Sequence, residues 1–193
     1  MSDSSSQPSV APSDPSWWFA DALQQERGEP AAASLNGEIT VDVAIVGGGF
    51  TGMWTALALK KRRPQITVAL IEASLCGSAA SGKNGGIVHG YWSGLAGMTD
   101  LLGADGALDV ARAGTMAQDG LRAFAQAPGR DVWLREGGHL RVSTTPSQDA
   151  KVALLTSTAR RLGVPDMAQA LTRAELPQHF KSPVFRSGVF LPE

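Results

Sequence analysis

The stretch from Val41 to Glu72 constrains this chain more than any other. It reads Val-Asp-Val-Ala-Ile-Val-Gly-Gly-Gly-Phe-Thr-Gly, then Met-Trp-Thr-Ala-Leu-Ala-Leu-Lys-Lys, then, past a short polar break, Ile-Thr-Val-Ala-Leu-Ile-Glu. An apolar run ending in glycines, an apolar helix-period stretch and a second apolar run closing on one acid form a β-α-β unit of the kind that holds a dinucleotide. The pattern therefore speaks to fold and ligand class together.

Each position in the unit has a physical task. Gly47 takes the backbone angles of the tight turn off the strand, Gly49 has no Cβ to keep the main chain from a pyrophosphate, and Gly52 lets helix and strand pack closely. Ala56, one turn further on, keeps that contact small. The amides that open the helix, near Phe50 to Met53, lack intrahelical acceptors and point partial positive charge at the phosphates. Glu72 stands 20 residues beyond Gly52. There a carboxylate accepts hydrogen bonds from an adenosine ribose, and no arginine for a 2′-phosphate is evident beside it. A glycine triplet alone also occurs as a plain turn. Here the strand, the helix, the small residue and the terminal acid agree with it.

A chain of 193 residues, 43% hydrophobic and 18% charged, has room for one well-buried domain, or for one domain and part of another. Seventeen basic residues against eighteen acidic ones leave a formal charge of −1, without the excess that nucleic-acid or anionic-membrane binding requires. The run Lys60 to Arg63 closes the first helix, where cations suit the dipole. Cys76 stands alone, so no internal disulfide forms and the cytoplasm is the default location. Residues 1–16 are rich in Ser, Pro and Asp and read as a disordered tail, neither signal peptide nor membrane anchor. Trp17-Trp18-Phe19 and a helical stretch from Ala20 to Arg27 read as an arm that docks its aromatics on the domain body. Glu29 to Gly37 is a linker into the first strand.

Beyond Glu72 the alternation of strand and helix stops. Gly77-Ser-Ala-Ala-Ser-Gly-Lys-Asn-Gly-Gly86 is a loop of small residues, costly to order unless something packs on its backbone. Its amides and the hydroxyls of Ser78 and Ser81 suit a pyrophosphate or the chain attached to it, with Lys83 placing a positive charge nearby. An ordinary glycine loop would look the same if this segment stood alone.

With these residues in place, the chain resembles the FAD-dependent oxidoreductases of the D-amino-acid oxidase family, and looks most like their γ-glutamylputrescine oxidase branch. The resemblance rests on Asp42 to Gly52, on Glu72-Ala73 and on Gly77 to Gly86, with an aromatic arm like Ser16-Trp-Trp before the first strand. It continues more weakly through Gly137-Gly-His-Leu-Arg-Val142 to the end. It implies that Gly47, Gly49, Phe50, Thr51, Gly52, Glu72 and Ala73 hold the ADP half of FAD. It likewise implies that Ser81, Gly82, Lys83, Asn84, Gly85 and Gly86 lie along the pyrophosphate towards the flavin. Relatives that tether flavin through this loop carry histidine where Asn84 stands, so the resemblance implies non-covalent FAD.

The rest of the chain reads as a mixed architecture: an α/β fold, with a Rossmann-type FAD-binding domain followed by the beginning of a substrate domain on antiparallel sheet. Asp105 is placed to cap a helix from about Gly106 to Gln126, which Gly114 and Gly120 weaken. Val132 to Glu136 and His139 to Thr144 flank Gly137-Gly138 as a two-residue hairpin. Thr145 with Gln148, Pro146 at the first helical position and a stop at Gly163 mark another helix. Thr172 with Glu175 opens a short one, and Val184 to Leu191 reads as a strand. The expected division is a tail over residues 1–16, an arm and linker over 17–40, the FAD-binding part over 41–130 and the start of a substrate domain over 131–193. Members of the family are longer, so their later strands and substrate-gripping residues match nothing before Glu193, and the chain reads as an N-terminal part.

The resemblance implies oxidation of a carbon bearing an amine, in an amine or amino acid, by hydride transfer to flavin, with the imine hydrolysing afterwards. No catalytic residue is named. His89 and Tyr91 read as packing or hydrogen-bonding residues, and Cys76 as a small buried thiol. His139 and His179 lack the neighbours at ligand spacing that a metal requires. Two other readings remain open at this level: a nicotinamide-binding oxidoreductase sharing Val41 to Glu72, and a non-catalytic FAD-binding module. The oligomeric state leaves no mark on the sequence.

Overall fold

The computed structural model describes residues 15–26, 32–129 and 132–193. The chain divides into two compact units, residues 1–87 and 88–193. This puts the segment over 88–129 with the second unit, whereas the sequence-based division keeps it with the first. The readings of the tail over 1–14 and of part of the linker, Glu29 to residue 31, lie outside the described residues.

The first unit opens with α1, Trp17–Gln25, capped by Ser16, whose hydroxyl accepts from the Phe19 amide at 3.3 Å. The helix thus begins at the aromatic triplet, three residues earlier than predicted. Then follow β1 (Val43–Val46), α2 (Phe50–Arg62) and β2 (Val68–Ile71). The strands pair in parallel with Val43 opposite Val68 and Val46 opposite Ile71, so the β-α-β unit forms where the sequence places it. Three cations, Lys60, Lys61 and Arg62, occupy the last turn of α2, where the helix dipole favours them. Asp42 ties the two strands together at their start: its carboxylate accepts from the Thr67 amide at 2.7 Å and from the Thr67 hydroxyl at 2.8 Å.

The second unit contains α3 (Leu95–Ala125), β3 (His139–Ser143), α4 (Pro146–Arg161), β4 (Gln169–Leu171) and β5 (Ser187–Leu191). The strands form an antiparallel sheet in the order β3-β5-β4. Leu95, Ala107 and Ala111 of α3, Val152, Leu155 and Ala159 of α4, and Val189 and Leu191 of β5 share one core with Trp92. The architecture is α/β, with a parallel nucleotide-type unit and a separate antiparallel sheet.

Three local expectations are corrected here, and one is extended. The hairpin across Gly137-Gly138 does not form: Val132 to Glu136 is not a strand, and β3 pairs with β5, His139 opposite Leu191. The distant pairing buries Val189 and Leu191 against α3 and α4, a gain that an adjacent irregular segment does not offer. The helix expected from beside Asp105 is present and ends at Ala125, but a further helical stretch from Leu95 precedes it: α3 is two helices joined at Gly103, whose φ of 72° and ψ of 178° are non-helical, and that first stretch was not expected. The expected capping box at Thr145 is shifted by one residue, because Gln148 Oε1 accepts from the amide and hydroxyl of Thr144 at 2.8 and 2.9 Å. The short helix after Thr172 is a single 3₁₀ turn, Leu176–Gln178, although Glu175 does reach back to the Thr172 amide at 2.8 Å. The stop at Gly163 holds: the Val164 amide donates to Ala159 and the Gly163 amide to Arg160, closing α4 in a Schellman motif.

Candidate cofactor site

The site is built from the turn between β1 and α2, the end of β2, and the loop after it. Gly47 leaves β1 with φ of 104°, a region open to glycine at little cost. Its amide donates to Ile71 O at 2.8 Å, which fixes the start of the turn to the end of β2. Gly52 faces back onto this turn so closely that a Cβ there would stand 2.0 Å from Gly47 O. Gly49 is the N-cap of α2 in extended conformation and offers no side-chain cap. Among the described residues, the one atom a Cβ on it would meet within 4 Å is Ser81 Oγ, at 3.0 Å. The backbone of this turn is therefore open on the side away from its own helix and strand.

Helix α2 has no acidic residue in its first turn. The Phe50 amide donates to Ser81 Oγ at 2.9 Å, while Thr51 and Gly52, next along, bring two further N–H groups to the same helix end. Helix N-termini of this form favour an anion. A diphosphate fits the donors present, because the turn supplies amides, glycine clearance and one movable hydroxyl.

Glu72 follows directly on β2, as the sequence places it, and it is already engaged. Its Oε2 accepts from the Gly48 amide at 2.7 Å and its Oε1 from the Ser74 amide at 3.1 Å. These bonds, Gly48 foremost, hold the carboxyl below the ordinary glutamate range. Each carboxylate oxygen keeps further lone-pair capacity for a ribose hydroxyl. Ala73 is exposed next to it.

The loop is folded on itself. A 3₁₀ turn covers Ala80–Gly82. The Asn84 amide nitrogen donates to Ser81 O at 2.6 Å, and Asn84 Oδ1 accepts from the Gly86 amide at 2.7 Å. Lys83, Asn84, Gly85 and Gly86 are exposed, whereas Ser81 and Gly82 are half-buried. The Gly77 amide donates to Gly48 O at 2.9 Å, so the loop and the nucleotide turn are hydrogen-bonded to one another at two points, Gly77–Gly48 and Ser81–Phe50. The structure thus brings Gly47, Gly49, Phe50, Thr51, Gly52, Glu72 and Ser81 into one neighbourhood.

Sequence reasoning passed over Gly48, and its reading of Cys76 as a buried thiol is corrected: Cys76 is exposed, in the loop that returns onto the turn. Gly48 is buried, its amide is the partner of Glu72, and a Cβ on it would stand 2.5 Å from Cys76 Sγ. The middle glycine of the triplet was the available signal. His89 and Tyr91 belong to the second unit. His89 Nδ1 lies 3.1 Å from Gly90 O, and its ring centroid is 5.8 Å from that of His139. Burial, then His89 and Arg141, lower the His139 pKa. Among the described residues no three His, Cys, Asp or Glu side chains are grouped to hold a metal, and no helix is long and apolar enough to cross a membrane.

The family model described as FAD dependent oxidoreductase matches residues 42–193. The chain belongs to this family. Over 59 residues it is 48% identical to gamma-glutamylputrescine oxidoreductase of Escherichia coli (strain K12), a match covering 30% of this chain and 13% of that protein. Over 76 residues it is 38% identical to the "Probable oxidoreductase OrdL" of Rhizobium meliloti (strain 1021), covering 39% of this chain and 17% of that protein. Among solved structures, glycine oxidase from Bacillus cereus ATCC 14579 superposes with a TM-score of 0.55 at 19% identity, over 80% of this chain and 39% of that one. Glycine oxidase from Geobacillus kaustophilus gives 0.51 at 23% identity, over 79% and 39%. These structural matches speak to fold alone. The matches span well under half the length of each relative.

Proposed function

We propose that this protein is an oxidoreductase that binds FAD non-covalently at the β1-α2 turn and oxidises the C–N bond of a small amine or amino acid. The observation that carries the reading is the turn itself: a positive-φ Gly47, a Gly52 with no room for a side chain, an α2 whose N-cap, Gly49, has no side chain over the helix end, and a carboxylate at the end of β2. Membership of an FAD-dependent family agrees with it.

FAD, when bound, supplies the two-electron acceptor that takes a hydride from the carbon bearing the nitrogen. The residues of this chain do the holding. The amides of Phe50, Thr51 and Gly52 stabilise the pyrophosphate at the N-terminus of α2, and the clearance at Gly49 lets that contact form. Glu72 accepts from the ribose while keeping the Gly48 amide in place. Ser81 and the backbone from Gly82 to Gly86 line the path from pyrophosphate towards the flavin, and Lys83 adds a cation beside it. Asn84 carries an amide, which does not form a bond to flavin carbon.

The test is to purify the full-length protein, record the visible flavin absorption, precipitate it with acid, and follow bleaching of the band when amines and amino acids are added without oxygen. Yellow protein, flavin in the acid supernatant and bleaching by an amine are expected. Colourless protein that takes up no added FAD would overturn the reading, and flavin left on the denatured chain would overturn its non-covalent part.

A further inference from the structure

The N-terminal arm docks on the flavin loop itself. Ser16 Oγ donates to the Gly82 carbonyl, and Trp18 Nε1 donates to the Asn84 carbonyl at 3.1 Å. The Trp18 ring covers Gly86 so closely that a Cβ there would meet Cζ2 at 3.3 Å. Phe19, the buried residue of α1, lies against Gly77 and Gly82, whose added Cβ atoms would meet its ring at 3.8 and 3.5 Å. Three side chains within four residues thus hold the loop at Gly77, Gly82, Asn84 and Gly86. Ser16 is doubly fixed, because it also caps α1 by accepting from the Phe19 amide.

On its other side the loop holds the nucleotide turn, through Ser81 to the Phe50 amide and Gly77 to Gly48 O. The order in space is arm, loop, turn. A loop with so many glycines is costly to order. If that cost falls at the moment of ligand binding it is subtracted from affinity, and contacts that order the loop beforehand return it.

We propose that Ser16, Trp18 and Phe19 are positioning residues for the cofactor: the arm pre-orders the loop from Gly77 to Gly86, so that FAD retention depends on a segment that precedes the nucleotide-binding strand. This rests on the FAD reading above. The arm acts through the loop and touches no reacting atom.

The experiment compares full-length wild type with Ser16→Ala, Ser16→Thr, Trp18→Phe and Trp18→Ala. Each is stripped of FAD and titrated with it by flavin fluorescence, with visible circular dichroism of the bound flavin and thermal melting of the apoprotein alongside. Trp18→Ala and Ser16→Ala are expected to weaken FAD by about tenfold, one hydrogen bond or more, and to change the flavin dichroism. Ser16→Thr, which keeps the hydroxyl, should restore wild-type binding, and Trp18→Phe should fall between. The serine pair decides the matter if Trp18→Ala does not fold. Wild type that binds FAD while Ser16→Ala binds it equally well, with the same dichroism, overturns the role of the arm and leaves the FAD reading standing. Wild type that binds no FAD overturns both.

Discussion

Gly52→Ala puts the geometry of the β1-α2 turn to its hardest test. A Cβ at this position would stand 2.0 Å from Gly47 O, with Gly47 C at 3.2 Å and Ile45 Cγ2 at 3.3 Å. The nearest obstacles are backbone atoms, so no rotamer change relieves them. Helix α2 has to withdraw from the turn by roughly 1 Å before the contact is tolerable. Overpacking of this kind costs about 1–3 kcal/mol, offset in part by the roughly 1 kcal/mol that alanine gains over glycine inside a helix. Stability therefore falls by no more than about 2 kcal/mol. The larger effect is on the ligand. An amide moved by ~1 Å from a 2.9 Å bond is out of hydrogen-bonding range, and each charge-assisted bond lost is worth about 1.5–3 kcal/mol. FAD should bind about ten- to a hundredfold more weakly. Fluorescence titration of the apoprotein with FAD measures this, with a thermal melt beside it. Gly120→Ala is the control, since it lies exposed in α3 with nothing within 4 Å of the added methyl. It should gain about 0.5–1 kcal/mol and leave FAD binding alone. Wild-type affinity and melting in Gly52→Ala would show that the helix does not need its close approach to the turn.

Gly49→Ala separates fold from ligand: its φ of −78° suits alanine and the added methyl meets only the Ser81 hydroxyl, at 3.0 Å, among the described residues, so the apoprotein should lose no more than the roughly 1 kcal/mol of that one hydrogen bond while FAD binding drops at least about tenfold. Normal FAD affinity in that variant would remove the pyrophosphate from this turn. Glu72→Gln tests linkage. The carboxyl is held low in the folded state by the Gly48 amide and then by Ser74. Its contribution is therefore complete above the ordinary glutamate value of 4.5 and is lost as pH falls through the lower folded value. Melting temperature against pH should fall more steeply in the acid range for wild type than for Glu72→Gln, and equal slopes would count against the Gly48 contact.

The parts of the fold legible in the sequence are those with local causes. β1, α2 and β2 are each fixed by signals within their own span, and the close approach of Gly52 to Gly47 is written in their spacing. The partner of β3 is not. His139 to Ser143 has Gly137-Gly138 beside it and a strand-like segment just before, yet it pairs with Ser187 to Leu191 nearly fifty residues away because Val189 and Leu191 complete the core there. The irregular segment instead lies beside α3, where Arg122 pairs with both Glu136 and Asp119. The helical stretch before Gly103 was hidden by its shortness, by Gly97 inside it, which lowers helix propensity, and by Gly94 and Gly103 at its ends. β4 is too short for its pattern to rise above noise, with Gln169 and Ala170 exposed. In the candidate site, the residue types were readable and the cross-bonds were not: that Glu72 grips Gly48 and that Ser81 caps α2 depends on how the loop returns after β2.

Ser81 shows why that return matters. Its hydroxyl accepts from the Phe50 amide, at the end of α2 where a diphosphate would be drawn. A hydroxyl is both acceptor and donor, so the oxygen that satisfies the amide alone can turn and donate to a phosphate oxygen when one arrives. The exchange is favourable because a bond to a charged group contributes about 1.5–3 kcal/mol against about 1 for a neutral one. A carboxylate at position 81 would cap the helix at least as well, but it has no proton to give and would repel the phosphate. Ser81→Asp should therefore keep or raise the melting temperature of the apoprotein while weakening FAD by about a hundredfold or more, and Ser81→Asn, neutral and able to donate, should recover much of the loss. Thermal melts and FAD titrations on the three proteins decide it. Tight FAD binding by Ser81→Asp would place the pyrophosphate somewhere other than the mouth of α2.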